Sequence, residues 1–360
     1  MRIAAFVSLL FFSTAAHAQF DLQDAHTTAD LRGIDSLGNG VAWASGTNGT
    51  VLRTEDSGFV WQLCAAPPGA EKLDFRGIQA FDNETAIVMS SGPGDLSRLY
   101  KTTDGCRTWK LVFTNPEKDG FWDAIQAKDR EHTFILGDSV AGQLRVWEVR
   151  DEELELSYQA RGSAEPNEGS FAASNSALQI VDTPQVDKKW KYALRFSSGT
   201  STASYLTLVR DESTPACEPC VEEKHRAEVP MSSGTATSGI YSFAFRNDLT
   251  GVAVGGDYTK PQSPSKTSSF SIDGGMSWRL ATSTPHGYRS SVAYDPAHKT
   301  WITVGPNGTD ISTDDGRNWR PLLPQAGEAP GTDQHWNALS LPFVVGPHGR
   351  IGKLRPDAFQ

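Results

Sequence analysis

The octet Ser271-Ile-Asp-Gly-Gly-Met-Ser-Trp278 decides the fold, because it recurs. By itself it is a tight turn between two strands. Asp273 can accept backbone N–H groups across the turn, Gly supplies positive φ, and Trp278 opens the next strand with a large apolar face to bury. The same order stands at Thr54-Glu-Asp56-Ser-Gly58-Phe-Val-Trp61, at Thr102-Thr-Asp104-Gly-Cys106-Arg-Thr-Trp109 and at Ser312-Thr-Asp314-Asp-Gly316-Arg-Asn-Trp319. Cys106 occupies the position that is Gly in the other three octets. In all four, the Trp lies five positions after the key Asp. A turn repeated in this way marks an array of similar supersecondary units.

The four octets resemble the Asp-box, or bacterial neuraminidase repeat, Ser/Thr-x-Asp-x-Gly-x-x-Trp. The resemblance implies a turn between the third and fourth strands of a β-propeller blade. The box occurs in sialidases and in many non-enzymes, so it speaks to architecture and not to chemistry.

Met1 to Ala18 carries Arg2, an apolar run through Phe12, and Ala16-His17-Ala18. This is the pattern of a cleavable secretory signal, with an apolar core too short to span a bilayer. The mature chain is expected to begin near Gln19 and to be secreted or periplasmic, with one propeller domain over residues 19–360. No later segment is long and apolar enough to cross a membrane. The 360 residues, 38% of them apolar, are ample for a core. A formal charge of −10 removes any general case for nucleic-acid or anionic-membrane binding. Four cysteines in an oxidising compartment suggest disulfides. Cys217-Glu-Pro-Cys220 is a local bridge or half of a zinc site; with no second ligand pair at the right spacing, the bridge is favoured. Cys64 and Cys106 are then left to pair and would staple neighbouring blades.

The chain divides into all-β units at roughly propeller spacing. The expected blades are 31–66, 75–113, 122–160, 169–228, 240–282, 288–323 and 336–354. The last has only three strand-like runs and no octet, while Phe20 to His26 upstream is an unassigned strand-like piece. A closed ring must hide its edges, so this N-terminal strand is expected to complete the last blade. The expectation is seven four-stranded blades, with six blades and a large insertion as the alternative.

Phe75-Arg-Gly-Ile78 opening a blade, and Gly46-Thr-Asn-Gly-Thr-Val-Leu-Arg-Thr54 running into an octet, resemble the photosystem II stability/assembly factor-like propellers. The resemblance extends over most of the chain and is weakest in the fourth blade. It implies a scaffold that binds a protein, not a reaction; the partner is expected to be another envelope or secreted protein, and the chain a monomer without a cofactor. The photosynthetic role is not carried over.

Aligning the innermost strands gives a column Arg32, Arg76, Asp123, Phe171, Tyr241, Ser290, Asn337, polar enough to line a channel. The flanking column Leu31, Phe75, Trp122, Ser170, Ile240, Arg289, Trp336 is apolar enough to pack between blades. Arg289 and Ser290 fit poorly, which suggests a register off by one in that blade. Gly94-Asp95, Gly137-Asp138 and Gly256-Asp257-Tyr258 would reach the same face from loops. The candidate binding face is therefore Arg32, Arg76, Trp122, Asp123, Asp138, Tyr241, Asp257, Arg289 and Trp336, a mixture of types enriched at interface hot spots. The plain alternative is channel lining and turn formation.

The rival function is an exo-acting, sialidase-like glycoside hydrolase, with Arg32, Arg76 and Arg289 on the substrate carboxylate and Tyr241 as nucleophile. Against it, no Glu falls at a matching innermost position. Gly137-Asp-Ser139 lacks the strand of an α/β sheet that a Gly-Asp-Ser hydrolase requires. There is no dinucleotide fingerprint, P-loop or His-Glu-x-x-His. Asp310 to Gly316 lacks the EF-hand order, so no metal is expected.

Overall fold

Second strands and outer strands differ in burial, and the difference explains their composition. The second strands Ala42–Gly46 and Ala86–Ser90 are buried at every position, as strands sandwiched between neighbouring sheets must be. The outer strands Gln62–Leu63, Arg279–Leu280 and Arg320–Pro321 are short and exposed, which leaves little open edge for unwanted pairing. The computed structural model describes residues 19–150, 153–163, 168–182, 192–210, 221–323 and 331–359. The expected leader, and the Cys217/Cys220 pair, lie outside the described residues.

Seven four-stranded antiparallel sheets form a closed β-propeller. Their innermost strands are Leu31–Ser36, Phe75–Ala80, Trp122–Ala127, Leu178–Asp182, Ser238–Phe245, Ser291–Asp295 and Ala338–Ser340, which define blades 1 to 7. The N-terminal strand Phe20–Gln23 closes the ring by pairing with Ile351–Leu354 at the outer side of blade 7. It stops at Gln23, short of the expected His26. Asp24 Oδ1 accepts the His26 backbone N–H at 2.8 Å, and His26 adopts φ 50°, so the chain turns there. Hydrogen bonds knit the inner strands around the ring. Asp35 of blade 1 accepts from Ala80 N and Gln79 Nε2 of blade 2. Gln79 Oε1 in turn accepts from Gln126 Nε2 and Ala127 N of blade 3. Ser242 Oγ of blade 5 accepts from Val292 N of blade 6, and Asn337 Nδ2 donates to Leu31 O across the closure.

The four octets adopt one geometry. In each, the Ser or Thr hydroxyl donates to the Asp carboxylate and accepts a backbone N–H four residues on, as in Ser271 Oγ to Asp273 Oδ1 at 2.8 Å and Gly275 N to Ser271 Oγ at 2.9 Å. The same carboxylates, Asp56, Asp104, Asp273 and Asp314, accept the N–H just before the Trp. These bonds hold all four carboxyls below their ordinary range, Asp104 at about 2. The indoles of Trp61, Trp109, Trp278 and Trp319 are buried against the preceding blade. Trp61, for example, meets Phe343 of blade 7 edge-on at 5.5 Å. Cys64 and Cys106 form a disulfide between blades 1 and 2.

Two expectations about strands are corrected. Blade 4 does not begin its inner strand at Gly169; the strand starts at Leu178, because residues 170–177 leave the sheet. Blade 6 is not out of register: Ser290 N donates to Val304 O while Ser291 also faces Val304, the arrangement found at Asn337 and Ala338 opposite Val345 in blade 7.

Candidate functional site

The channel mouth is built by β-bulges. Pairing of the first two strands slips by one residue at Arg32, Arg76, Asp123 and Tyr241, in blades 1, 2, 3 and 5. A bulge bends its strand and re-aims one side chain, here at the same position in each blade. The residue before each bulge packs between blades instead: Leu31, Phe75, Trp122 and Ile240 are at most 1% exposed, and Arg289 and Trp336, at the same place in blades 6 and 7, are buried as well.

That burial separates the candidate residues. Trp122 lies in the apolar contact between blades 2 and 3 and does not reach the face. Arg289 is wholly buried, its Nε donating to Asp310 Oδ2 at 2.8 Å and its Nη1 to Tyr288 O at 2.7 Å, with His286 Nδ1 also on Asp310. It is a charged tie from the entry of blade 6 to the third strand of the same blade and not a surface group. Trp336 is buried beneath the Arg350 guanidinium, which sits 4.5 Å from the ring centroid, and only its edge borders the channel. Asp257 is engaged locally, its Oδ1 accepting from Thr259 Oγ1, Thr237 Oγ1 and Thr259 N while its Oδ2 lies 3.3 Å from Lys260 Nζ, and these bonds hold its carboxyl at about 2. Asp95, in a short 3-10 turn at Gly94–Leu96, is exposed and stays away from the channel.

Residues 170–177, Ser-Phe-Ala-Ala-Ser-Asn-Ser-Ala, cross the channel and plug it. Asn175, at φ 61°, accepts from Ile125 N of blade 3 at 2.7 Å and donates to Ile78 O of blade 2. Ser174 Oγ donates to Ser290 O of blade 6, and Ser176 Oγ to Ser242 Oγ of blade 5. Ala172 O accepts from Arg76 Nη1. Phe171 stacks on Tyr241, with centroids 4.0 Å apart and planes at 16°. Gly199 and Gly239 make room for that ring, since a Cβ on either would lie 2.4 or 2.6 Å from it. Sequence reading missed this element; its signal was a run of Ser, Ala and Asn where a strand was expected.

The plug turns the channel mouth into a blind cup of about 440 Å³. Arg32, Arg76, Phe171, Tyr241, Tyr258 and Asn337 line it, with Tyr288 below. Arg76 Nε donates to Asp74 Oδ2 at 2.8 Å, whereas Arg32 stands 3.6 Å from Asp74 and 3.9 Å from Asp30, too far for a direct hydrogen bond. Tyr241 donates its hydroxyl to Thr237 O, and burial pushes the Tyr241 and Tyr288 phenols up, so both stay protonated. Tyr258 is half exposed at the rim.

Beyond Arg76 the same face continues as a trench of about 460 Å³ containing Asp123 and Asp138. Burial, and then the neighbouring Asp138, push the Asp123 carboxyl well up, against the pull of Arg76. Burial also raises Asp138, whose Oδ1 accepts the Ser170 backbone N–H at 3.1 Å. Among the described residues no group of three or more His, Cys, Asp and Glu is placed to hold a metal ion, and no helix is long and apolar enough to cross a membrane.

No protein-family model matches the chain, and no curated protein matches it. Solved structures do. YCF48 bound to a D1 peptide superposes with TM-score 0.60 at 16% identity, covering 94% of this chain and 97% of that one. YCF48 from Cyanidioschyzon merolae gives 0.56 at 15%, covering 94% and 100%. The WD40 β-propeller domain of Doa1 gives 0.54 at 11%, covering 94% and 99%. At such identities the likeness is one of fold, and it runs through the whole ring.

Proposed function

We propose that this protein is a non-catalytic, protein-binding propeller, a monomeric assembly scaffold that works outside the cytoplasm and holds a segment of another envelope or secreted protein at its channel mouth. The observation that carries this is the plugged channel: residues 170–177 convert a pore into a cup whose walls include two Arg and three Tyr, types that supply much of the binding energy at protein interfaces. Arg32 has donors to spare for a peptide carbonyl or carboxylate, and Tyr258 offers a half-exposed ring at the rim. The YCF48 structure bound to a D1 peptide is a precedent for a peptide on this fold. The likeness of the octets to the Asp-box, and of residues 1–18 to a secretory signal, belong to the same proposal.

The glycosidase alternative asks Arg32, Arg76 and Arg289 to converge on one substrate and Tyr241 to attack it. Arg289 is instead enclosed in its ion pair with Asp310, and Tyr241 gives its proton to a carbonyl and not to a base. Both placements favour binding over catalysis.

The test is affinity capture from envelope extract with the exported chain, its start at Gln19 checked by N-terminal sequencing, beside Arg32→Ala/Tyr258→Ala. Both side chains are partly exposed, so the variant keeps the fold. A partner held by the native chain and lost from the variant is the expected outcome. Retention of the same set by both proteins would show that the cup is not the binding site.

A further inference from the structure

The trench beside the cup contains two carboxyls that no cation among the described residues neutralises directly. Asp123 is the bulge residue of blade 3; it is 2% exposed, lines the trench, and its Oδ2 has no hydrogen-bond partner. Asp138 lies close enough to raise its pKa, and receives a single backbone N–H from Ser170. The cations nearby are committed elsewhere. Arg76 is bonded to Asp74 and Ala172 O, and Arg226 to Glu168 and Glu223. Glu168, the third acid near the trench floor, is therefore already paired, and Asp119 sits at the rim. A buried carboxylate without a partner is strongly disfavoured, so the pair must share protons or receive a cation.

The form of that cation follows from the number of donors. Calcium takes about six to eight oxygens, and the trench offers two free carboxyls. An ammonium or guanidinium carries one positive charge and several N–H donors, which two carboxyls and neighbouring carbonyls can accept. Tyr258 borders both cavities and adds an aromatic ring to the path between them.

We propose that the trench receives the cationic side chain of a lysine or arginine in the bound segment, Asp123 and Asp138 accepting its N–H groups while the cup holds an adjoining residue. The proposal rests on the peptide-binding reading above and deepens it. The face then selects segments that carry a basic residue, although the chain as a whole is acidic enough to attract many cations without discrimination.

The experiment is saturation-transfer NMR at pH 7.5 on the full chain, with Nα-acetyl-lysine methylamide and its neutral norleucine analogue as probes. The lysine probe is expected to bind at least about tenfold more tightly, the worth of one charge-assisted hydrogen bond. Asp123→Asn and Asp138→Asn each remove that preference, while Asp95→Asn, on its exposed turn, leaves it. The amide is isosteric with the neutral acid, and the comparison of probes on the native chain needs no variant at all. Equal binding of the two probes, no saturable binding of the lysine probe, or unchanged preference in both Asn variants overturns the proposal. So does displacement of the lysine probe by equimolar calcium. If the extract experiment captures a partner on the cup while the trench ignores charge, the scaffold reading stands and this inference falls. If the lysine probe binds and no partner is captured, only the scaffold reading falls.

Discussion

Carboxylates in this molecule obey opposite rules according to what surrounds them. Asp104 sits in an exposed turn, and hydrogen bonds from Thr108 and Thr102 pull it to about 2. Its contribution to stability is present above the ordinary carboxylate range and fades as pH falls toward 2. Asp35 lies between blades 1 and 2, where burial pushes its carboxyl up to about 6 despite two donated hydrogen bonds. Because the folded state holds that proton more tightly than the unfolded chain, its stabilising effect is full below about pH 4 and disappears as pH rises through 6. Asp35→Asn keeps an oxygen for Ala80 N and removes the titration. Thermal melts from pH 4 to 8 should therefore show the variant gaining on the native chain with rising pH, by on the order of 2 kcal/mol. A difference that does not change with pH would mean that Asp35 is not buried as a shifted acid.

The octet is the repeating element, and its function is to fasten one blade to the one before. Two consecutive residues have positive φ in each, such as Gly274 and Gly275, or Asp315 and Gly316. The second of them presses against the preceding blade. A Cβ on Gly275 would lie 2.4 Å from the Tyr205 ring, one on Gly316 2.6 Å from Val252, and one on Gly58 2.3 Å from Gln23 of the closing strand. Blade 2 alone has Cys106 there, at φ 62°, and bonds it to Cys64 of blade 1. A disulfide thus takes the place of glycine packing. Closing a loop across a separation of 42 residues is worth about 4 kcal/mol by chain entropy. Trp278→Ala should cost about 3–5 kcal/mol in urea unfolding, as loss of a large buried aromatic does. Ser271→Ala, losing the hydroxyl that spans the turn, should cost about 1 kcal/mol. Equal costs for the two would show that the turn, and not the indole, carries the contact between blades.

At the scale of the ring, stability depends on closure. Without Phe20–Gln23, the strand Ile351–Leu354 would present an open edge, and Trp336 would lose the Phe20 ring 5.4 Å away. Removing residues 19–26 should lower the melting temperature and cause self-association visible by light scattering. A shortened chain that melts as before and stays a single species would mean that the last blade stands on three strands. The plug is the second device at this scale. It joins blades 2, 3, 5 and 6 through hydrogen bonds between residues as far as 116 positions apart, so it both braces the ring and floors the cup.

What could be read from the sequence was whatever repeats: the octets, the blade count, the missing strand, and the column Arg32, Arg76, Asp123 and Tyr241. Each rests on a local rule, turn chemistry or a bulge at a constant offset, that neighbouring residues impose. The position just before the bulge was also legible as packing, yet Trp122, Arg289 and Trp336 were kept as binding candidates for their chemical type. Their burial depends on distant segments: Arg289 is enclosed because Asp310, on the third strand of its own blade, meets it. The plug and the Asp123–Asp138 trench repeat nowhere in the chain. They arise only when the ring brings distant segments together, because a hydrogen bond from Ser174 to Ser290 leaves no periodic trace in the order of the residues.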